Sequence, residues 1–459
     1  MQGNVDVVYG AKGAGKSALY ILLTQRGAEL AQRKILAIEG ENPRGAPVFQ
    51  DLVTDPPTTE AEFRLLWKLY ALTIIGQRFR AAKLEGPNAR RIIGYLEGAR
   101  LLGPTTTLKA ILKAAHEYAR MLLRAEAMEA GVSISPLTGV PAISGKITFR
   151  EPTTEQRQDG YVSVDELLAR ANDLLKQDSA QVWILLDRLD VAFSESDELE
   201  ANALRALFRS YRDLGNLDAI RFKIFMRSDI WRRITEGQGF REASHIGRQL
   251  TISWDPNALL NLVIRRVLQN QSIRETYQVD ESTLSSLPSQ RELFYRIFPL
   301  QIDVGERRPE TFDWILSRTA DGKGASAPRE ILQLLTSARD TQLRRWEIGE
   351  ADPEGERLFD RNAFKQALLE VSRMRLERTL LAEYPTLRER ILALEGEKTQ
   401  QTPESLAALW RVTLDEASSV AGRLVEAGFF EVRGSKAAPE FWVPFLYRGA
   451  LKMVQGTAD

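Results

Sequence analysis

The sequence has no cysteine, and it has only two histidines, His116 and His245, among its 459 residues. The absence of cysteine excludes disulfide bonds and every zinc or iron–sulfur site that depends on thiolate ligands. With two imidazoles, a metal site made of protein side chains alone is not expected. A chain without cysteine fits a reducing compartment, and we expect a cytoplasmic location.

An excess of charge and long apolar runs are also absent. The 62 Lys and Arg residues balance 62 Asp and Glu residues, so binding to nucleic acid or to an anionic membrane would need a local patch. The most apolar stretch, near residues 63–76, is interrupted by Lys68 and is far shorter than the ~20 residues that span a bilayer. Residues 1–9 lead directly into a strand pattern without a signal peptide. We expect no membrane segment.

Helical and strand patterns alternate along the first half of the chain. Residues 4–9 and 34–39 have strand patterns that flank a helical pattern at 17–31, which predicts a parallel pair of strands. Residues 63–129 have helical spacing, and residues 132–149 alternate turn residues with β-branched ones, which predicts a hairpin. Two further buried strands are predicted at 182–186 and 222–226, and the last strand of the sheet is predicted at 249–254.

A glycine-rich loop separates the first predicted strand from the first predicted helix. It fits the pattern G-x-x-x-x-G-K-S with Gly10-Ala11-Lys12-Gly13-Ala14-Gly15-Lys16-Ser17. Glycines let backbone N–H groups curl around phosphate oxygens, and the N-terminus of the following helix attracts the same anion. The pattern predicts that ATP is bound, with Mg²⁺, by Gly10, Lys12, Gly13, Ala14, Gly15, Lys16 and Ser17.

Specific roles follow for the last two residues of this loop and for an acid later in the chain. Lys16 is predicted to reach the β- and γ-phosphates, and the Ser17 hydroxyl to hold Mg²⁺. Asp187 directly follows the apolar run 182–186. A P-loop site places there the acid that helps to hold the metal ion. Arg188 follows where many hydrolases have a second acid. Asp190 is a candidate for that catalytic acid, or else it caps the next helix.

Two arginines further along the chain, Arg227 and Arg329, are candidate sensors of the γ-phosphate. Arg227 ends the predicted strand 222–226, where a guanidinium can stabilise developing charge, or else it pairs with Asp229. Arg329 follows Pro328 at the predicted start of a helix, and it either binds the nucleotide or pairs with a nearby acid. An arginine finger for a neighbouring subunit is a further hypothesis for the stretch 232–248.

The C-terminal segment has helix–turn–helix spacing at 402–410 and 414–427. A predicted strand pair near 429–433 and 441–444 completes a winged-helix-like pattern. Acidic residues outnumber the single Arg423 on the second helix, so phosphate repulsion argues against docking in a major groove. We expect packing on the ATPase or on a partner protein. A weakly basic wing, with Arg411, Arg433, Lys436 and Arg448, leaves nucleic-acid binding open.

Together these patterns predict an α/β fold. They favour a P-loop NTPase core with a parallel sheet at 1–254, which contains a largely helical insertion at about 50–165. A helical lid follows at 255–350. A C-terminal helical and winged-helix-like domain occupies 351–459 and begins with a linker at 352–356 that contains Pro353 and Gly355.

These stretches resemble a bacterial family of P-loop ATPases related to the STAND and KAP groups and to the AAA+ initiator-like class. The resemblance covers most of the chain and is carried by Gly-Ala-Gly-Lys-Ser at 13–17, Leu-Leu-Asp-Arg-Leu-Asp at 185–190, Phe-Met-Arg-Ser-Asp-Ile-Trp at 225–231, Ala-Pro-Arg-Glu-Ile-Leu at 327–332 and Val-Pro-Phe-Leu-Tyr-Arg at 443–448. It implies a nucleotide-switched ATPase, often linked to prokaryotic antiviral defence or signalling. The KAP pattern has an acid at the position of Arg188, so its absence here argues against fast hydrolysis.

Three functions are compatible with these features. The first is an ATP-driven molecular switch that repositions its C-terminal domain, binds a partner protein or assembles with further copies of itself. The second is an initiator- or loader-like ATPase that binds DNA through its winged helix. The third is a scaffold that binds nucleotide without hydrolysing it.

Overall fold

The computed structural model describes residues 4–42, 48, 57, 59–84, 86–103, 107–129, 146–189, 197–236, 246–435 and 438–458. The chain divides into two compact units. The first comprises Met1–Ala11 and Gly15–Ile252, and the second comprises Lys12–Ala14 and Ser253–Asp459. Each unit has its own hydrophobic core.

The first unit contains a five-stranded parallel sheet and a small two-stranded one. Its strands are β1 (Val7–Gly10), β2 (Ile35–Glu39), β3 (Ile147–Thr148), β4 (Val162–Ser163), β5 (Gln181–Leu186), β6 (Ile220–Arg227) and β7 (Gln249–Ile252). The order in the large sheet is β2-β5-β6-β1-β7, and every pair in it is parallel. The other pair, β3 and β4, is parallel too.

The prediction that the first two strands pair with each other is wrong. They belong to the same parallel sheet, but β5 and β6 lie between β2 and β1. Burial explains this order, because β5 and β6 are almost entirely buried, as strands covered on both faces must be. The half-exposed β2 and the exposed β7 take the two edges instead.

Helices cover both faces of the large sheet. They are α1 (Lys16–Gln25), α2 (Gly27–Gln32), α3 (Glu60–Ala81), α4 (Pro87–Gly98), α5 (Leu108–Glu129), α6 (Thr154–Gln158), α7 (Val164–Gln177), α8 (Asp197–Asp213) and α9 (Ser228–Glu236). On one face Val8 and Trp183 pack with Tyr20 of α1, while Val7 and Tyr9 contribute to the larger core on the other face. The helix predicted at 17–31 is divided at Arg26 into α1 and α2.

The predicted helical insertion consists of α3, α4 and α5. Most of α3 is buried, and Lys68 in its middle is buried as well, with its ammonium group 2.8 Å from Asp165 and 3.1 Å from Asp213. These two carboxylates explain how a charge is accommodated in an apolar helix. Among the described helices, none is long and apolar enough to cross a membrane.

The hairpin predicted at 132–149 lies mostly outside the described residues. Its described end, Ile147–Thr148, is β3, and it pairs in parallel with β4. A hairpin would require an antiparallel partner adjacent in sequence. The partner of β3 lies beyond α6 instead.

The second unit is mainly helical. Its helices are α10 (Pro256–Val267), α11 (Gln271–Tyr277), α12 (Leu287–Ile297), α13 (Thr311–Thr319), α14 (Pro328–Glu347), α15 (Arg361–Arg375), α16 (Leu381–Glu383), α17 (Arg388–Leu392), α18 (Pro403–Trp410), α19 (Leu414–Glu426) and α20 (Phe445–Arg448). One hydrophobic cluster extends through this unit from Leu259 to Leu451. The structure thus confirms the predicted fold class, an α/β fold with a parallel sheet and helical segments, while the domain boundaries at 254/255 and 350/351 stay predictions.

A four-stranded sheet follows in the C-terminal part of this unit. Its strands are β8 (Lys398–Gln401), β9 (Glu431–Ser435), β10 (Ala438–Trp442) and β11 (Val454–Thr457), in the order β11-β8-β10-β9. The antiparallel pair β9 and β10 confirms the predicted strand pair, with the strands displaced by a few residues. The sequence analysis did not predict β8 and β11. The winged-helix-like name for this segment stays a proposal.

A buried ion pair ties β1 to β6 in the first unit. Asp6 is fully buried, and its carboxylate accepts hydrogen bonds from the Lys223 ammonium at 2.8 Å and from the Tyr211 hydroxyl at 3.0 Å. Lys223 also donates to the carbonyl of Val5 at 2.7 Å. Burial lowers the pKa of Lys223, and the Asp6 carboxylate opposes that shift.

We expect Asp6→Ala to destabilise the protein by about 3–5 kcal/mol, because it leaves the Lys223 ammonium buried without its counter-ion. Urea denaturation followed by circular dichroism measures the change. Asp218→Ala, which removes a mostly exposed carboxylate, is the matched control and should change stability by less than about 1 kcal/mol. Equal effects of the two substitutions would contradict the assignment.

Candidate functional site

Three predicted site residues lie at one edge of the large sheet. Gly10 ends β1, Arg227 ends β6, and Asp187 directly follows β5. Because these strands are parallel and β6 lies between the other two, their carboxyl ends meet at the same edge. Strands are spaced by about 4.8 Å, so β1 and β5 are roughly 10 Å apart. That distance suits two groups that act on one ligand from opposite sides.

The glycine-rich loop has the backbone that its sequence predicts. Gly13 has φ 78° and Gly15 has φ 103°, both in the left-handed region that glycine adopts without strain. Gly15 occupies the N-cap position of α1, and Lys16 is the first helical residue. A side chain at residue 13 or 15 would strain the loop at the point where it must turn its amides toward an anion.

The Lys16 side chain is buried and folds back over the loop. Its ammonium group donates hydrogen bonds to the carbonyl oxygens of Gly10 and Ala11, each at 2.9 Å. These bonds hold a positive charge at the mouth of the loop beside the N-terminus of α1. Both features favour an anion at this place.

The two predicted metal ligands differ in exposure. Ser17 is exposed in the first turn of α1, whereas Asp187 is almost fully buried. No group of three or more His, Asp or Glu side chains that could hold a metal was found within the described part of the chain. A hydroxyl and one carboxylate are hard oxygen ligands, which suits Mg²⁺ because it takes few protein ligands and completes its shell with water and phosphate.

Residues at the end of β2 add an acid that the sequence analysis missed. Glu41 is fully buried, and its Oε1 accepts hydrogen bonds from the amides of Asn42 at 2.7 Å and Val48 at 2.8 Å. Its Oε2 has no hydrogen-bond partner among the described residues. The charges of Asp187 and Arg188 act on it. The signal was available, since a carboxylate just past a parallel strand lies at the same sheet edge as Asp187.

Tyr20 connects this acid to the glycine-rich loop. It lies one helical turn after Lys16 and donates a hydrogen bond to the carbonyl of Glu41. Burial raises the pKa of Tyr20, and the negative charges of Glu39, Glu41 and Asp187 raise it further. The Tyr70 hydroxyl donates to the neighbouring carbonyl of Gly40 at 2.9 Å. The end of β2 is therefore held by two tyrosines from different helices.

The remaining candidate residues of the first unit differ in their surroundings. Arg227 pairs with Asp229 through two hydrogen bonds, at 3.1 and 2.6 Å, which is the ion pair considered as the alternative to a sensor. Arg188 is half-buried and has φ 57°. Asp190 lies outside the described residues, as does His245.

Residues Lys12–Ala14 group with the second unit. A methyl group at Gly13 would lie 3.2 Å from Cβ of Ala327 and 3.3 Å from Cβ of Arg329, so the start of α14 lies against this turn. The Ala14 carbonyl accepts a hydrogen bond from the indole of Trp254 at 2.8 Å. Lys12 pairs with Glu383. Arg329 itself is exposed.

No family model matches the chain, and no curated protein matches it. Solved structures that it resembles include the ORC2 protein of Aeropyrum pernix in ADPNP–ADP complexes, at 14% identity over 96% of this chain and 84% of that chain, with a TM-score of 0.32. The ADP form of ORC2 gives 12% identity, coverages of 98% and 86%, and a TM-score of 0.32. CDC6P of Pyrobaculum aerophilum is 13% identical over 97% of this chain and 85% of that chain, with a TM-score of 0.30.

The buried Glu41 gives a pH-dependent contribution to stability. Burial raises its pKa from 4.5 to about 7, so its contribution is fully present below pH 4.5 and is lost as pH rises through 7. Glu41→Gln cannot ionise and retains an acceptor for the two amides. We expect this variant to gain on the order of 2 kcal/mol relative to the parent between pH 5 and pH 8, measured by urea denaturation. Glu29→Gln, an exposed control, should gain nothing, and a gain of Glu41→Gln independent of pH would contradict the cause.

Proposed function

We propose that this protein binds ATP with Mg²⁺ and hydrolyses it as an ATPase of the P-loop class. The observation that supports this most directly is the position of Lys16 at the N-terminus of α1, behind Gly13 and Gly15 in left-handed conformations. Together they provide a concave set of amides, a positive helix end and an ammonium group, which is what a triphosphate requires.

We propose a role for each residue, which its position supports. The loop amides and Lys16 bind the phosphates, Ser17 and Asp187 hold the magnesium ion, and Arg227 and Arg329 sense the γ-phosphate. Bound Mg²⁺ neutralises charge that develops on the phosphate oxygens. Asp190 was the first candidate for the residue that orients the attacking water, and the buried Glu41 is a second candidate near Asp187.

ATP binding and hydrolysis should depend on different residues. We expect Lys16→Ala to weaken the binding of a fluorescent ATP analogue at least about tenfold, because a charge-assisted hydrogen bond to phosphate is lost. Asp187→Ala should leave Mg²⁺-free binding unchanged and reduce Mg²⁺-dependent phosphate release to background. Lys113→Ala, an exposed lysine on α5, is the control. Undiminished binding by Lys16→Ala would refute the site, and phosphate release equal in the parent and Asp187→Ala would favour a non-hydrolysing scaffold.

A switch function is supported by the contact of the glycine-rich loop with the start of α14. A methyl group at Gly13 would lie 3.2 Å from Cβ of Ala327 and 3.3 Å from Cβ of Arg329, and all three residues belong to the second unit. A ligand bound at Gly13 would therefore favour one position of the start of α14 over another. A protein partner, a second copy of this chain and a role in bacterial defence or signalling are proposals of the same kind.

The DNA-binding alternative is supported by an arginine–aromatic cluster in the second unit. This cluster consists of Arg318, Arg433, Arg448, Phe445 and Trp442. The guanidinium carbons of Arg318 and Arg448 lie 3.7 and 4.0 Å from the centre of the Phe445 ring, and that of Arg433 lies 4.1 Å from the Trp442 ring.

The pKa of Arg448 reflects the closeness of the other two arginines. Burial lowers the pKa of Arg448 to about 10, and the charges of Arg318 and Arg433 contribute to the shift. Part of this charge is compensated, because Arg433 donates hydrogen bonds to Glu431 at 2.8 and 3.1 Å and Arg318 lies 4.0 Å from Asp303. The remaining positive charge attracts an anionic backbone, and arginine on aromatic rings is a common surface for phosphate and bases. The cluster includes the end of β10, so it favours contact through the wing rather than through the acidic α19.

We expect the intact chain to bind double-stranded DNA in a salt-dependent manner through this cluster. The double variant Arg318→Ala/Arg433→Ala should reduce the slope of log K against log salt by about 1–2, because each lost phosphate contact changes it by roughly 0.9. Fluorescence anisotropy of a labelled duplex measures this. Arg373→Ala, an exposed arginine on α15, should leave the slope unchanged. No binding by the parent at low salt would reject the DNA-binding function.

A further inference from the structure

A pocket of about 420 Å³ opens in the second unit between α10, α11 and α14. Its far wall consists of residues 297–298 and 358–359. All of its lining residues belong to the second unit, and none is part of the glycine-rich loop or of the arginine–aromatic cluster. The volume is within the range of roughly 300–1,000 Å³ that small-molecule sites occupy.

Most of the pocket wall is apolar. Val263 of α10, Leu335 of α14 and Phe359 of the loop before α15 contribute to it, and Leu343 is 45% exposed. Apolar surface left in contact with water is unfavourable by about 25 cal/mol per Å², so an apolar ligand gains by covering it. This wall selects for a ligand with an apolar body.

The polar atoms of the wall include two donors without acceptors. The side-chain amide nitrogen of Gln342 and the indole nitrogen of Trp346 are buried and have no hydrogen-bond partner among the residues that the structure describes. The Gln342 oxygen is engaged, because it accepts a hydrogen bond from the Asp360 amide at 2.9 Å. Because neither nitrogen has accessible surface, a ligand in the pocket would reach them only after a shift of these side chains, and its polar recognition rests on the exposed side chains of the wall.

The charges around the pocket have one sign. Arg266 and Arg339 line it, and the described lining residues include no Asp or Glu. Arg339 pairs with the adjacent exposed Asp340, whereas Arg266 forms no ion pair with any other described residue. Arg266 is exposed, and its guanidinium, which has no counter-ion in the described part of the chain, lies beside an apolar wall, where it suits a carboxylate, sulfonate or phosphate.

We propose that this pocket binds a small amphipathic anion, with its apolar body between α10 and α14 and its anionic group at Arg266. The proposal does not depend on the ATPase assignment, because every residue it uses lies away from the glycine-rich loop in sequence.

Fluorescence titration of the full chain with 8-anilinonaphthalene-1-sulfonate tests this proposal, since the probe combines an aromatic body with a sulfonate. We expect saturable binding at micromolar probe that Arg266→Ala weakens about tenfold. The neighbouring Arg265→Ala is the matched control and should bind as the parent does, because Arg265 does not line the pocket. Equal effects of the two substitutions, or no saturable binding below millimolar probe, would overturn the proposal.

Two further experiments distinguish binding in this pocket from binding to other apolar surfaces of the protein. Leu335→Trp should fill the pocket and reduce probe binding, whereas Leu369→Trp, at a partly exposed position on α15, should not. Decanoate should displace the probe at a concentration at least tenfold lower than decanol does. Displacement that is equal for the acid and the alcohol would show a surface without charge selection, and binding retained by a folded Leu335→Trp variant would locate the probe elsewhere.

Discussion

The parallel arrangement of β1, β5 and β6 is the constraint on which the candidate site depends. It brings the glycine-rich loop, Asp187 and Arg227 to one edge, although the chain between the loop and Arg227 is about two hundred residues long. Gly40 extends this edge to β2, since a methyl group there would lie 2.7 Å from Leu186 Cδ2 and 3.0 Å from the Leu185 carbonyl oxygen. The close approach leaves room only for glycine, and it brings the next residue, Glu41, beside the end of β5.

A buried ion pair links the start of α14 to the C-terminal part of the second unit. Glu330, next to Arg329, is buried and pairs with Arg375 of α15 at 2.8 Å. The charge of Arg375 also acts on the buried Tyr447 of α20. A displacement of α14 near Gly13 would have to break or carry this buried ion pair, which is costly in a low-dielectric interior. The pair therefore gives the proposed switch a physical connection between the loop residues 12–14 and α20.

The sequence was informative where structure is local and less so where it is not. The loop conformation and the strand at 182–186 were predictable, because glycine positions and a continuous apolar run determine them directly. The order of the strands was not, since β5 and β6 enter between β1 and β2 only through long-range packing. The Arg227–Asp229 pair was foreseen as an alternative, whereas the role of Glu41 needed the sheet order. The positions of Asp190 and of residues 132–145 lie outside what the structure describes.

The balance of charge over the whole chain hides local imbalance. Net charge is zero, yet Arg318, Arg433 and Arg448 meet on two aromatic rings, and the described lining residues of the pocket at α14 include two arginines and no Asp or Glu. The C-terminal helix pair shows the opposite sign, because the first turn of α19 carries Asp415 and Glu416. A repelling helix beside an attracting wing would orient a nucleic acid along the wing, since field strength near a surface depends on local charge rather than on the total. By the same argument, the two cationic surfaces would attract anions independently of each other.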